Sequence, residues 1–294
     1  MRRTVKQPLF KVFLYVVFAL FIFWICFPFL WLVFSSIVNV KELGAVPPHW
    51  IPKEPTLNNF RAVFSGNYNA TAETGYNDGT WQGRTGILNV MFNSFYIAGL
   101  VALLNVLVGG LAAYSISRFR TTLNRSLYLV FLGSRVLPPM ALVMPFFIVF
   151  KHLGLINTPW ALIISYNLFI LPLSIWLLKV YFDKVPADVE EMSLIDGLNR
   201  YGALFRIIIP MAIPGFVAVF IMSMLESWSE FFYALVLTDQ MTVPPLLIEF
   251  RQTQQVLWNQ QAAASVLAVL PPLVVVLVLQ NRIVSGLTAG AVKG

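Results

Sequence analysis

Residues 190–215 read EEMSLIDGLNRYGALFRIIIPMAIPG, and this stretch decides how the chain is organised. It begins with charged residues, contains three glycines and lies between two strongly hydrophobic segments. Charges are costly in hydrocarbon, so the polar part of the stretch belongs in water at the face of a membrane. A separate protein can reach it there, which favours a membrane protein that is driven by another chain.

The composition of the chain is that of an integral membrane protein. Of its 294 residues, 58% are hydrophobic and 11% charged, and the mean hydropathy is +0.76. Such a chain has too little polar surface to cover a soluble globule. The first apolar segment, about 12–38, is too long for the core of a signal peptide, so we expect an uncleaved membrane helix. The single cysteine, Cys26, lies inside it and has no partner for a disulfide.

Six segments are long and apolar enough to cross about 30 Å of hydrocarbon as helices. They are continuous apolar runs without an alternation of period two, which excludes a membrane-spanning β-barrel. The prediction is an all-α integral membrane protein with one transmembrane domain over 1–294, an outer loop over 39–86 and a cytoplasmic loop over 183–206. The predicted spans are about 12–38, 87–116, 127–150, 159–182, 207–225 and 262–280.

Lysine and arginine residues set the predicted orientation, because they accumulate in cytoplasmic loops. With the N-terminus inside, the cytoplasmic segments hold thirteen of them and the outer segments six. Both termini are therefore predicted to be cytoplasmic. The same asymmetry explains the net charge of +7, so that charge gives no support to nucleic-acid binding.

The long outer connection divides into two parts. Its first part contains four prolines and predicts a stiff strap that ends in a short amphipathic helix, with Leu57, Phe60 and Phe64 as the apolar positions. Its second part, 65–86, is rich in Gly, Asn and Thr and predicts an exposed loop. Two interpretations of that loop stay open, an insertion without a role and a contact with a soluble partner.

The cytoplasmic loop predicts two short helices joined by a tight turn. Pro186 suits the first turn of a helix, and the acidic residues after it lie near the positive end of the helix dipole. Gly197 can take the left-handed conformation that commonly closes a helix. A helix of about ten residues is only marginally stable alone, so we expect it to need a partner. The predicted apolar faces are Val189, Met192 and Ile195 in the first helix and Tyr201, Leu204, Phe205 and Ile208 in the second.

The spacing in this loop resembles a known signature, E-A-A-x3-G-x9-I-x-L-P, the EAA motif of permease subunits from ATP-binding-cassette importers. The matching positions are Glu191, Met192, Ser193, Gly197, Ile207, Ile209 and Pro210. Met and Ser replace the two alanines, and Ile replaces the leucine. Segments 46–60, 112–120, 134–163 and 285–294 are similar to the maltose-type MalG branch of carbohydrate importers. The resemblance covers nearly the whole chain, and 65–86 is the least familiar part.

The resemblance implies the type I importer permease fold, in which this hairpin is the coupling helix that fits a cleft on a separate ATPase. Glu191 would pair with a basic group of the ATPase, while Gly197 would form the turn. Met192, Ser193 and Ile195 would pack in the cleft. An ordinary amphipathic surface loop is the alternative. The predicted coupling residues are Glu190, Glu191, Met192, Ser193, Ile195, Asp196 and Gly197.

The resemblance also implies partners and a function. The partners are a second homologous permease, two ATP-binding subunits and a periplasmic or extracellular solute-binding protein, all at the bacterial cytoplasmic (inner) membrane. The implied function is uptake of a sugar, oligosaccharide or polyol by alternating access. The chain lacks G-x-x-x-x-G-K-[ST], so we expect a non-catalytic subunit without a cofactor, with ATP and Mg²⁺ on the partner ATPases.

The alternative function is a secondary transporter or channel that no ATPase drives. That alternative explains the spans but leaves the hairpin without a role. A secondary transporter that uses a proton relay depends on an acidic residue near the middle of a span, and this sequence has none there. A membrane enzyme is a weaker alternative, because His49 and His152 are the only histidines and neither has the spacing of a metal ligand.

Three charged residues are candidates for a substrate path or gate. Arg135 lies inside the third predicted span, where a charge costs at least about 2.5 kcal/mol unless it has a partner. It is either a substrate-path residue, which would suit an anionic sugar, or a structural pin. Glu226 and Glu230 lie at the outer end of the fifth span and either line a gate or hydrogen-bond neighbouring helices.

The last outer connection contains FRQTQQVLWNQQ, which is dense in amide side chains. Amides and an aromatic face suit sugar hydroxyls and ring faces, and the resemblance implies that this loop reaches toward the binding protein. The predicted contact residues are Gln254, Gln255 and Trp258. A solvated polar loop is the alternative.

Overall fold

The computed structural model describes residues 6–39, 42, 45, 49, 51–66, 86–119, 121–239, 242–250 and 257–288. All regular structure in these ranges is helical, as predicted. The helices in chain order are α1 (Lys6–Ser36), α2 (Asn58–Ser65), α3 (Ile87–Arg118), α4 (Thr122–Ser134), α5 (Pro139–His152), α6 (Pro159–Asp183), α7 (Ala187–Ile195), α8 (Arg200–Ala203), α9 (Ile209–Trp228), α10 (Phe232–Leu237), α11 (Val243–Glu249) and α12 (Trp258–Thr288). A π-helical turn, Leu204–Ile208, joins α8 to α9.

Five helical stretches in the described ranges are long and apolar enough to cross a membrane. They are Phe10–Ser36, Ile87–Arg118, Pro159–Asp183, Arg200–Trp228 and Trp258–Gln280. Helices α4 and α5 pass the same test only as a pair, which makes a sixth candidate. The six predicted segments therefore fall on these helices.

The third predicted span, 127–150, is not one straight helix. It consists of α4 and α5, which are bent by 101° at the break that residues 135–138 form. Pro138 and Pro139 explain the break, because proline lacks an N–H donor and its ring collides with the preceding turn of a helix. Pro139 instead begins α5, where a missing N–H costs nothing.

The chain folds as two compact units, and the first contains residues 1–87 and 247–268. The buried side chain of Asn59 connects the parts of this unit. Its Nδ2 donates to the carbonyl oxygens of Ser36 and Val38, each at 2.9 Å, and its Oδ1 accepts from Asn259 Nδ2 at 2.8 Å. These bonds join the end of α1, helix α2 and the start of α12. They also satisfy polar groups whose burial without partners would be costly.

The buried face of α2 differs from the predicted one. The sequence predicts Leu57, Phe60 and Phe64 as its apolar face, but Leu57 is 72% exposed and Phe64 is 44% exposed. The buried residues of α2 are Asn59 and Val63. The hydrogen bonds of Asn59 determine which face of this helix is buried. They cannot be inferred from the apolar periodicity of the sequence.

The second unit contains residues 88–246 and 269–294, and α6 packs along α9 in it. Gly215 permits the close approach of these two helices, because a Cβ atom there would lie 2.4 Å from Tyr181 Cγ. Two apolar clusters fill the unit. One cluster lies near the start of α6 and includes Leu162 of α6 and Tyr233 of α10. The other lies near the end of α6 and includes Phe182.

Candidate functional site

Helices α7 and α8 form the predicted helical hairpin. Helix α7 begins directly after Pro186, and Gly197 follows its end with φ = +93°, in the left-handed region that favours glycine. Asn199 then caps α8, because its side-chain oxygen accepts a hydrogen bond from the Gly202 amide at 2.7 Å. Helix α8 continues through the π-helical turn into α9, and together they form one candidate membrane span, Arg200–Trp228.

Helix α7 exposes large apolar side chains, and the residues that it buries are polar. Met192 is 56% exposed and Ile195 is 84% exposed, whereas Glu190 and Ser193 are buried within the chain. A short helix that packs only against its own chain would bury its apolar side chains there. The reversed arrangement leaves an apolar surface outside the membrane spans, which is typical of a protein-interaction site.

The carboxylate of Glu190 holds α7 against the end of α3. Its Oε1 accepts a hydrogen bond from the Tyr114 hydroxyl at 2.5 Å, and its Oε2 accepts from Arg118 Nε at 2.8 Å. Arg118 also donates through Nη2 to the carbonyl oxygen of Val185 at 3.0 Å. Because the Arg118 and Glu190 side chains are only 12% and 10% exposed, water screens this ion pair weakly.

The structure separates the seven predicted coupling residues into two groups. Glu191, Met192, Ile195, Asp196 and Gly197 are exposed and accessible to a partner. Glu190 and Ser193 face their own chain, and the Ser193 hydroxyl donates to the carbonyl oxygen of Glu190 at 2.6 Å. These two residues therefore position the hairpin and do not lie on its exposed surface.

The second candidate site is a cavity of about 230 Å³ in the second unit. It brings together the three charged residues that the sequence singles out, Arg135, Glu226 and Glu230, with the side chains of Tyr166, Phe169, Ser229 and Tyr233. Tyr166 and Phe169 lie on α6 about 20–25 Å along the helix from its Asp183 end. The cavity therefore lies well away from the hairpin.

Arg135 occupies the break between α4 and α5, so its side chain does not project from the middle of a continuous helix. Its Nη1 donates to the Phe169 carbonyl oxygen at 3.1 Å, and its Nη2 lies 3.8 Å from Glu226 Oε1. The second contact is an ion pair but is too long for a hydrogen bond. Arg135 has the partners of a structural pin and also lines the cavity, so the two interpretations of this residue are compatible.

Glu230 accepts hydrogen bonds at the start of α10. Its Oε1 accepts from the amide of Tyr233 at 3.0 Å, and its Oε2 accepts from the amide of Ala234 at 3.3 Å. The Tyr233 hydroxyl donates to the carbonyl oxygen of Pro139 at 2.8 Å, which connects α10 to the start of α5. Glu230 thus holds the wall of the cavity, and it retains lone pairs that can face the interior.

Residues 105–288 match the family described as binding-protein-dependent transport system inner membrane component. The chain belongs to this family. Its members are permease subunits, so the six apolar segments and the hairpin are those of an inner-membrane transport permease. The match includes the hairpin, both ends of the broken third span and all the cavity residues.

Two relatives of this permease have names that refer to the transport of sugars or sugar derivatives. The trehalose/maltose transport system permease protein MalG of Thermococcus litoralis is 32% identical over 98% of this chain and 99% of its own length. The sulfoquinovosyl glycerol transport system permease protein SmoH of Agrobacterium fabrum is 31% identical over 91% of this chain and 89% of its own length. The similarity to the MalG branch is thereby confirmed.

A solved structure confirms the fold. A chain of a bacterial ABC transporter involved in the import of the acidic polysaccharide alginate superposes with a TM-score of 0.73 and 17% sequence identity. The match covers 96% of this permease and 99% of that chain. The all-α fold of this chain is therefore that of an ABC transporter permease.

The permease has further site residues that the sequence does not reveal. Tyr114 and Arg118 bind Glu190. Arg118 lies in the AAYSISRFR segment, which resembles the family, but that resemblance does not indicate that Glu190 is its partner. Tyr166 and Tyr233 line the cavity. The Tyr233 amide donates to Glu230, and the spacing of three residues between them is the only sequence signal of that bond.

The predicted contact with the binding protein is only partly within the described residues. Gln254 and Gln255 lie outside them. Trp258 is 56% exposed at the start of α12, where it lines a shallow cavity of about 420 Å³ with Pro28 and Trp31 of the same unit. The interaction of this segment with a binding protein stays a prediction.

Proposed function

We propose that this permease is one transmembrane subunit of an ATP-driven importer that takes up a carbohydrate by alternating access. The substrate class is a sugar, oligosaccharide or polyol, as the names of its relatives suggest. A solute-binding protein delivers the substrate, a second homologous permease completes the pathway, and two ATP-binding subunits hydrolyse ATP with Mg²⁺. Both termini lie in the cytoplasm, so the hairpin faces the ATPases.

The exposed apolar face of α7 carries this proposal. A partner that covers Met192 and Ile195 would bury two large side chains, each contributing about 1.5–3 kcal/mol when fully buried. The neighbouring Glu191 is exposed and can pair with a basic group at the rim of the contact. The opposite face is fixed to α3 through Glu190, so a force applied to α7 reaches two membrane helices, α3 and α9.

Co-purification tests the proposal. The tagged permease is expressed with its neighbouring genes, and the ATP-binding subunit that it retains is quantified. Ile195→Glu places a charge in the contact and should reduce retention of the ATPase by at least about tenfold, which corresponds to about 1.4 kcal/mol. Leu57→Glu is the matched control, because it replaces another exposed aliphatic residue, 72% exposed against 84% for Ile195, with glutamate outside the hairpin.

A secondary transporter or channel makes the opposite prediction. No ATPase would be retained by the unmodified permease, and Ile195→Glu would behave as Leu57→Glu does. Either result would remove the basis for an ATP-driven importer.

A further inference from the structure

The cavity that contains Arg135 has a net negative lining. Its charged side chains are one guanidinium, Arg135, and two carboxylates, Glu226 and Glu230. The guanidinium is already paired, because Nη2 lies 3.8 Å from Glu226 Oε1 and Nη1 donates to the Phe169 carbonyl oxygen. An anionic ligand entering this cavity would meet a compensated cation and an additional carboxylate. Like charges repel, so this lining disfavours an anionic ligand.

A buried hydroxyl in the cavity wall lies near a carboxylate. Tyr166 is 2% exposed, and the Glu230 carboxylate is near enough to its hydroxyl for a weak hydrogen bond and an electrostatic interaction. No partner with good hydrogen-bond geometry lies among the described residues. A ligand hydroxyl that bridges Tyr166 and Glu230 would replace this poorly aligned contact with well-formed hydrogen bonds.

The remaining wall of the cavity is largely apolar and includes two further aromatic rings. The rings of Phe169 and Tyr233 lie 5.2 Å apart at an angle of 52°, and both residues line the cavity. Aromatic faces beside hydrogen-bonding groups suit a sugar ring, which has apolar C–H faces and polar edges. The volume of about 230 Å³ is below the range of about 300–1,000 Å³ for sites that enclose drug-sized ligands. It has room for about one sugar ring.

We propose that this cavity binds one ring of a neutral, hydroxyl-rich saccharide on its way through the permease, and that Glu226 excludes sugar acids by pairing with Arg135. The proposal rests on the carbohydrate import proposed above and adds the charge class of the substrate. Because Arg135 Nη2 and Glu226 Oε1 are 3.8 Å apart and not hydrogen-bonded, a sugar hydroxyl beside the pair can accept from Arg135 and donate to Glu226. Arg135 then serves as a hydrogen-bond donor and does not act as a receptor for carboxylates.

Protection of a single cysteine from labelling tests this proposal. Cys26→Ser removes the only native cysteine, and Ser229→Cys places a reporter at an exposed position in the cavity wall. Membranes that contain the importer are treated with a small maleimide in the presence of glucose or glucuronate. These two sugars differ in one carboxylate, and sodium chloride is added to the glucose samples to match the ionic strength.

Glucose should slow the labelling about threefold at a concentration twice its dissociation constant, whereas glucuronate at that concentration should have little effect. Glu226→Gln should shift the preference toward glucuronate by at least about tenfold, because it frees Arg135. Glu54→Gln is the matched control, since it makes the same change on the exposed strap. Tyr166→Phe should reduce protection by glucose while leaving the labelling rate without sugar unchanged.

Three results would overturn the proposal. Protection by glucuronate in the otherwise unmodified cavity would show a site for sugar acids. Absence of protection by either sugar would show that the cavity holds no saccharide. An unchanged preference in Glu226→Gln would remove the role of the ion pair. None of these results depends on retention of the ATPase, so failure here and failure of the proposed function are separate outcomes.

Discussion

Replacing Glu190 with alanine separates the internal contact of α7 from its external one. The change removes two hydrogen bonds and leaves the guanidinium of Arg118 without its carboxylate at a site where the Arg118 side chain is 12% exposed. Loss of one partner of a buried ion pair costs about 3–5 kcal/mol. The partial exposure of both side chains places this pair at the lower end, about 3 kcal/mol, which is on the order of a hundredfold in the equilibrium that holds α7 on α3.

The expected result in the reconstituted importer is a loss of coupling. Glu190→Ala should retain the ATPase, because the exposed face of α7 is unchanged, but uptake per ATP hydrolysed should fall. Glu190→Gln keeps the shape of the side chain and one hydrogen-bond acceptor. Its uptake per ATP hydrolysed should lie between that of Glu190→Ala and that of the unmodified protein. Uptake and ATP hydrolysis are measured on the same vesicles.

Glu191 provides the matched control, because it is the adjacent glutamate on the opposite, exposed face. Glu191→Ala should weaken retention of the ATPase and leave thermal stability unchanged. Unchanged thermal stability and unchanged uptake per ATP in Glu190→Ala would contradict the role of Glu190 in holding α7. So would two alanine variants that are indistinguishable in ATPase retention, thermal stability and uptake per ATP.

Three further changes test the parts of the permease that position its sites. Gly197→Val should uncouple ATP hydrolysis from uptake, because a β-branched residue at φ = +93° is strained by about 1–3 kcal/mol, whereas Gly197→Asn should be milder. Gly215→Ala should lower the thermal stability of the purified permease by about 1–3 kcal/mol, because the new methyl group would lie 2.4 Å from Tyr181 Cγ; unchanged stability would show that α6 and α9 can separate freely. Asn59→Leu should destabilise the first unit by about 1–3 kcal/mol for each polar group left unpaired, measured as a lower unfolding temperature, and an unchanged temperature would contradict the role of this side chain.

Most of the helical framework of this permease could be predicted from its sequence. The apolar runs are long, and Pro186 and Gly197 are local signals that act on their immediate neighbours, so the hairpin is found where the sequence predicts it. The break at Pro138 and Pro139 could not be predicted from adjacent prolines alone, because α12 continues through Pro271 and Pro272.

The orientation of α7 could not be predicted in the same way. Apolar periodicity assumes that a helix buries its apolar side chains, but α7 exposes Met192 and Ile195 and buries Glu190. The reason lies 72 residues away in the chain, where Arg118 supplies the partner of Glu190. The cavity is a similar case, since Arg135, Tyr166 and Glu226 meet only after α6 and α9 have packed together.

A cross-link from α7 to the ATPase tests most directly the claim that an external ATPase drives this permease. In the Cys26→Ser background, Ile195→Cys places one thiol on the exposed face of α7, and a short bifunctional reagent is added to membranes that contain the whole importer. We predict a product that contains the permease and the ATP-binding subunit, with a yield that changes when ATP is added. A thiol at Ile195 that reacts with the reagent but never joins the ATP-binding subunit would contradict the account.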